Sequence, residues 1–324
     1  MKQTCYRIEK DKNLSVISCD TIPAQLTESE VGYWQEIETV TPDELTAWLK
    51  SQTLHPLLKE DILTPEHSTL IDRYGQDAVY IEFPTNLDGS DSDAGIAYLS
   101  IILRPNLITT IRRGRISDTQ SLMERFQREI RPLVSRTMVV LYYILDSAID
   151  RNMALALTLR NRIDALEQTF TADPTAIEVA AVTELRREIT TLISIAEDQR
   201  YCIKALESVH FEVLDFSEYE TYLHDVMSNA GHVLRVLGRS EERLKDLQIG
   251  YQMAVDNISA KRLRLLTVIS AIFLPLTLIT GFFGMNFTSM ILLGKSYGIW
   301  LAISAMVVIF LLMVGYFYRQ GWFE

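Results

Sequence analysis

The sequence predicts an α+β soluble domain that continues into long coiled-coil-like stalk helices and ends in two C-terminal transmembrane α-helices. Three observations predict it. Short alternating apolar runs fill the first part of the chain, heptad-spaced apolar positions occupy a stretch with no proline between Pro174 and Pro275, and two apolar segments almost free of charge follow. The expected boundaries are an N-terminal α/β domain over 1–115, a long-helix stalk region over 116–262 and a transmembrane domain over 263–324.

Taken in order, CYRIEK (5–10), LSVISCD (14–20), VGYWQEI (31–37), AVYIEF (78–83), IAYLSIIL (96–103) and LITTIRR (107–113) read as strands. PDELTAWLKS (42–51) and LHPLLKEDIL (54–63) read as helices between them, and 118–170 is expected to be helical as well. In the stalk, one apolar stripe is Leu185, Ile189, Leu192, Ala196, Gln199, Ile203 and Leu206. A second is Leu223, Val226, Ala230, Val233, Leu237, Ser240, Leu244, Leu247, Tyr251, Ala254 and Ile258. Both alternate steps of four and three, which keeps one helix face turned toward partner helices. Neither glycine nor proline stands between Asp256 and Leu265, so a single helix from near Tyr219 to Gly284 is expected. At about 1.5 Å per residue it approaches roughly 100 Å, long enough to carry movement from a soluble domain into a membrane.

A helix crosses a hydrocarbon core of about 30 Å with roughly 20 apolar residues. LLTVISAIFLPLTLITGFFG (265–284) and YGIWLAISAMVVIFLLMVGYFY (297–318) meet that length without a charge. Spanning helices are therefore expected over about 263–285 and 297–318, with an outer loop over 286–296. Between Arg264 and Arg319 the only charged side chain is Lys295, whereas Lys261, Arg262, Arg264 and Arg319 flank the pair. That asymmetry places both termini in the cytoplasm. Tyr297, Trp300, Tyr316, Tyr318 and Trp322 read as anchors at the lipid interface. Pro275 sits inside the first span, where neighbouring groups can compensate for the hydrogen bond it removes. MKQTCYRIEKDKNLS holds no apolar run, so no signal peptide is expected and insertion falls to the C-terminal pair.

A formal net charge of -11 argues against a nucleic-acid partner, whose phosphates are bound by clustered cations. Acidity suits a cationic ligand and equally suits plain solubility. Cys5, Cys19 and Cys202 are odd in number and far apart with no CxxC, so neither a disulfide framework nor a zinc site is expected, and a reducing cytosol fits them. DGSDSD (88–93) opens like a calcium loop but carries Leu99 at the twelfth position, and reads as a hairpin turn. IRRGR (111–115) reads as a solvated strand end. His210, His224 and His232 form no ligand cluster, and no catalytic triad or phosphate loop is present, so an enzyme is not expected.

LTVISAIFLPLTLITGFFGMNF (266–287), ending in Gly284, Met285 and Asn286, resembles the first membrane helix and following tripeptide of the CorA family of magnesium transporters. LHPLLKEDIL and YLSIILRPNLITTIRRG (98–114) match family patterns too, and the resemblance covers nearly the whole chain. It implies a funnel-shaped homopentameric channel of the cell inner membrane. The first membrane helices would line a central pore, the second would form an outer ring, and magnesium bound between subunits would favour closure. It also implies a selectivity filter at Gly284, Met285 and Asn286, and a pore face of Leu263, Thr267, Ser270, Leu274, Thr277 and Gly281. The regulatory metal would lie between Asp77 beside a strand and Asp225 in HDVMSN on the stalk, two acids that also read as ordinary surface groups.

Magnesium sheds its water reluctantly, so a conducting path is expected to handle it largely hydrated. No acid lies between Asp256 and Glu324, which leaves neutral oxygens as the pore ligands. The first span would end at the outer face with its carbonyls and negative dipole end pointing outward. Asn286 would add a ring of amide oxygens, Thr277 an inner polar ring, and Leu263 and Leu274 apolar constrictions that gate by dewetting. Two departures stand out. The family commonly continues with Met-Pro-Glu-Leu after the tripeptide, whereas FTSMILLGKSYG (287–298) has neither Pro nor Glu, and the family's inner Asn is Ala260 here. Passive magnesium uptake gated by cytosolic magnesium, with Co2+ or Ni2+ as further cargo, is the first expectation. Transport of Zn2+ or another divalent cation, inward or outward, is the second. A membrane-tethered coiled-coil scaffold that conducts nothing is the third.

Overall fold

A computed structural model describes residues 2–9, 14–23, 31–38, 41–64, 69–74, 78–86, 96–112, 136–208, 219–285 and 298–322. Strands β1 (Lys2–Ile8), β2 (Leu14–Ile17), β3 (Gly32–Glu38), β4 (Leu70–Tyr74), β5 (Ala78–Asn86), β6 (Ile96–Arg104) and β7 (Leu107–Arg112) form one sheet in the order β2-β1-β3-β7-β6-β5-β4. Among the described strand pairs only β3/β7 is parallel, with Ile37 opposite Ile111. Helices α1 (Pro42–Ser51) and α2 (Pro56–Leu63) lie between β3 and β4. Thr41 caps α1 by accepting from the Glu44 amide at 3.4 Å, and a proline at the first helical position of each helix pre-sets its φ. Leu45, Trp48, Leu49, Leu58 and Ile62 of these helices bury one sheet face at Ile37, Tyr80, Ile102 and Ile111. Val79, Ile81, Phe83, Ile101, Leu103 and Ile108, which alternate with that set, are buried as well. Near-continuous apolar runs in β5 to β7 follow from this two-sided cover.

Three long helices continue the chain: α3 (Arg136–Ala172), α4 (Val179–Ser208) and α5 (Glu220–Phe283). Every residue of the expected α4 stripe is buried, including Gln199 at 0% exposure. Gln199 is not a misplaced polar residue. Its amide donates to the Pro84 carbonyl at 2.8 Å while its oxygen accepts from the Asn152 amide of α3 at 2.7 Å. This chain of bonds ties α3, α4 and β5 together. Gln199→Leu removes both of these buried hydrogen bonds, and is expected to destabilise the full-length protein by about 2 kcal/mol, read as a lowered midpoint of thermal unfolding in detergent. On α5 the stripe is buried from Leu223 to Leu247, and Arg243 binds the stalk to α3 by donating from Nε to Glu167 at 3.0 Å and by an ion pair with Asp164. These two carboxylates raise the Arg243 pKa.

The chain divides into two compact units, 1–169 with 178–246 and 170–177 with 247–324, so the division falls on α5 itself. In the second unit α6 (Gly298–Arg319) ends in a turn that the sequence did not announce. Gly321 has φ +69°, its amide donates to the Tyr318 carbonyl at 3.1 Å, and the Trp322 amide reaches back to Phe317 at 3.2 Å. Only glycine adopts this left-handed stop without strain, and the Phe317 and Trp322 rings, 5.4 Å apart, seal it.

Three expectations need amendment. Cys5 and Cys19 are joined in a disulfide, leaving Cys202 as the free, buried thiol. The antiparallel β1/β2 hairpin brings together two residues that wide sequence spacing kept apart. Arg112 is not a solvated strand end: it is largely buried in β7 and pairs with Glu36 at 2.7 Å, because the parallel β3/β7 register brings the two strands alongside. Strand β4, LIDRY, was not expected, since one acid and one base among its five residues mask its alternation. Helix α3 accounts for 136–172, while 118–135, the 88–93 turn and His210 lie outside the described residues.

Candidate functional site

From Leu247 onward the long helix loses the cover that buried its stripe: Tyr251, Ala254 and Ile258 are only half-buried. Val268 and Ile272 then pack against Phe317 of α6, with Ala271, Leu276, Met313 and Val314 around them. Both helices are long and apolar enough to cross a membrane. The core helices of a soluble protein would be covered, yet only 11% and 6% of the two apolar windows are buried. Large apolar side chains such as Trp300, Leu311, Leu312 and Tyr318 point away from the chain, as a lipid-facing surface requires.

At about 100° per residue, Val268, Ala271, Ile272 and Leu276 share the side that α6 covers, and Leu263, Thr267, Ser270, Leu274, Thr277 and Gly281 centre about 150° away from it. All six of the latter are exposed, Leu263 at 64% and Leu274 at 71%. The Thr267 hydroxyl donates to the Leu263 carbonyl and the Thr277 hydroxyl to the Phe273 carbonyl, each at 2.8 Å. With their protons used inside the helix, these oxygens remain as acceptors, the polarity a cation or its water shell needs. Pro275 has no N–H, so the Ala271 carbonyl lacks its helical donor.

At the end of α5 the Gly284 amide still donates to the Thr280 carbonyl at 2.9 Å, and Met285 to the Phe282 carbonyl at 3.4 Å. A Cβ at Gly284 would stand 3.0 Å from that same Thr280 oxygen, so the helix can close there only on glycine without shifting its backbone. A Cβ at Gly281 would meet nothing within 4 Å, so its own chain gives no packing reason for glycine there. Asn286, the third residue of the tripeptide, lies outside the described residues.

Asp225 is exposed on α5, and its carboxylate accepts from the Tyr142 hydroxyl of α3 at 3.2 Å. Sequence reasoning missed that partner, for which the aromatic pair Tyr142-Tyr143 inside an apolar helix was the available signal. Asp77, the other acid of the expected metal site, lies outside the described residues. His224 and His232 are exposed, and no group of three His, Cys, Asp or Glu capable of holding a metal occurs among the described residues.

The family profile described as CorA-like Mg2+ transporter protein matches residues 29–319. A cobalt/magnesium transport protein CorA of Thermotoga maritima is 27% identical over 278 residues, 83% of this chain and 77% of that protein. The divalent cation transporter CmaX of Pseudomonas aeruginosa is 23% identical over 84% of this chain and 82% of its own. The complete structure of the CorA magnesium transporter from Methanocaldococcus jannaschii superimposes with a TM-score of 0.82, covering 99% of each chain at 18% identity.

Proposed function

The chain belongs to the CorA-like Mg2+ transporter family, membrane proteins that move divalent cations, and from that premise we propose that it admits magnesium passively through a homopentamer. The observation that carries this reading is the exposed stripe from Leu263 to Gly281 on the side of α5 opposite α6. Five such stripes facing one axis make a path lined by leucyl constrictions and by Thr and Ser oxygens, with α6 as the outer layer against lipid. Gly284, Met285 and Asn286 form the filter where the helix stops. Lys261, Arg262, Arg264 and Arg319 hold both termini on the cytoplasmic side of the inner membrane, against Lys295 alone outside.

Closure follows from the carboxylates. Asp225 on the stalk and Asp77 of a neighbouring subunit repel when bare and are bridged by a cytosolic dication, so that rising magnesium favours the closed assembly. Movement along α5 links that event to the membrane, because a helix of 64 residues spans about 95 Å.

A second reading, transport of zinc or another divalent cation in either direction, is favoured by one feature: 287–298 carries no carboxylate and does carry Lys295. Uptake into proteoliposomes holding a magnesium indicator separates the two. Magnesium entry driven by an inside-negative potential, competed by Co2+ and Ni2+, is the expected result. Vesicles as tight as protein-free ones refute conduction altogether, and zinc flux without magnesium flux moves the assignment to the second reading.

A further inference from the structure

Helix α6 ends just past its contact with Val268. Phe317 makes that contact, and Gly321 stops the chain within about a turn of it. At about 1.5 Å and 100° per residue, Arg264 and Lys261 lie about 6 and 10 Å further toward the start of α5, each within about 60° of the side that α6 covers. Both are exposed there, and both lie about 100° or more from the stripe of Leu263 to Gly281. No acid stands between Asp256 and Glu324 to pair with them; Asp256 is about 120° round the helix from Val268, and Glu324 lies outside the described residues. The end of α6 does not call on them either, since its Tyr316, Phe317 and Tyr318 carbonyls already accept from the Gln320, Trp322 and Gly321 amides at 3.1, 3.2 and 3.1 Å. The surroundings are amphipathic. The Trp322 ring folds back on Phe317 and stays 38% exposed, and exposed Leu265 and Ile269 continue the neighbouring flank of α5 into the apolar span.

We propose that Lys261 and Arg264, with Trp322 beside them, form a site for the phosphate of an anionic phospholipid whose acyl chain lies along Leu265 and Ile269. The Arg264 guanidinium offers a phosphate paired N–H donors, and Lys261 adds a second charge about one helical turn away. Two cations with no acid of the same stretch between them favour a headgroup of net negative charge over a zwitterionic one. A free phosphate would meet the same cations but leave the leucyl and isoleucyl flank bare, so the flank favours the lipid. Seated there, the lipid fills the space beyond the end of α6 and holds that end against α5. The site is independent of what passes along the stripe.

The test uses the full chain in a neutral detergent, titrated with dioleoylphosphatidylglycerol, dioleoylphosphatidylcholine or sodium phosphate at matched ionic strength. Phosphatidylglycerol is expected to raise the midpoint of thermal unfolding by about 3 °C, and the other two by less than about 1 °C. Lys261→Gln combined with Arg264→Gln should abolish that difference, and Arg264→Gln alone, which keeps one cation, should lose most of it and serves if the double variant does not fold. Arg319→Gln removes a cation turned about 160° from Phe317 on α6 and should keep the difference. Native mass spectra of the same samples read binding without reference to stability: phosphatidylglycerol adducts should survive on wild type and Arg319→Gln and vanish with Lys261 and Arg264. Equal shifts from the three additives, or adducts that persist without the two cations, overturn the proposal. So does a loss in Arg319→Gln as large as in the double variant, which marks diffuse attraction between bases and lipid. A full shift from sodium phosphate alone marks a soluble-anion site and overturns the lipid assignment.

Discussion

Asn286→Ala is expected to lower magnesium flux about a hundredfold at equal reconstituted protein, the loss of about 3 kcal/mol at the barrier. Among the described residues the last backbone hydrogen bonds of the helix ahead of it are donated by Gly284 and Met285, and the final turn of a helix presents carbonyls without an intrahelical donor. In the proposed filter, a hydrated dication would meet those carbonyls and, from each subunit, one amide oxygen. Each amide contributes about 1 kcal/mol to a water shell that must hold its geometry while the ion pauses, and part of that is recovered when water replaces it. Alanine keeps the backbone and removes only the amide. Initial rates from an entrapped magnesium indicator decide the matter, and equal rates for variant and wild type would remove Asn286 from the filter.

The long helix was legible because its signals are local. Unbroken spacing from Leu223 to Ile258 and the absence of a stop before Leu265 predicted a helix near 219–284, and the structure has one from Glu220 to Phe283. The two helices of the α/β part were equally plain, each opened by a cap and a proline. What stayed hidden depends on chain segments meeting across the fold. Strand β4 owes its place to pairing with β5, Arg112 owes its burial to Glu36 on a strand far away in sequence, and Cys19 meets Cys5 through a hairpin. Gln199 shows the opposite case: the heptad count placed a polar residue at a core position, and only the structure shows the Pro84 and Asn152 partners that make it tolerable there. The membrane stripe was read from a family resemblance, and the structure adds that α6 covers the other side of the helix.

Leu274→Asn is expected to hold the path open. Leu274 lies one residue before Pro275 and is 71% exposed, an apolar side chain on a face that neighbouring Thr and Ser oxygens otherwise make polar. In a narrow passage, a ring of leucyl groups offers water no hydrogen bond, so a small reduction in radius empties it and stops a hydrated ion without any plug. Five amides at that level give water partners at every radius, and emptying the passage then means desolvating polar groups, at about 1 to 3 kcal/mol each. With millimolar magnesium sealed inside the vesicles, wild type should fall nearly silent while Leu274→Asn conducts about a hundredfold faster. Leu274→Ile, which keeps the ring apolar and of the same volume, should close like wild type. If internal magnesium silences the asparagine variant as completely as it does wild type, then wetting at this level does not govern closure, and the constriction must be sought at Leu263.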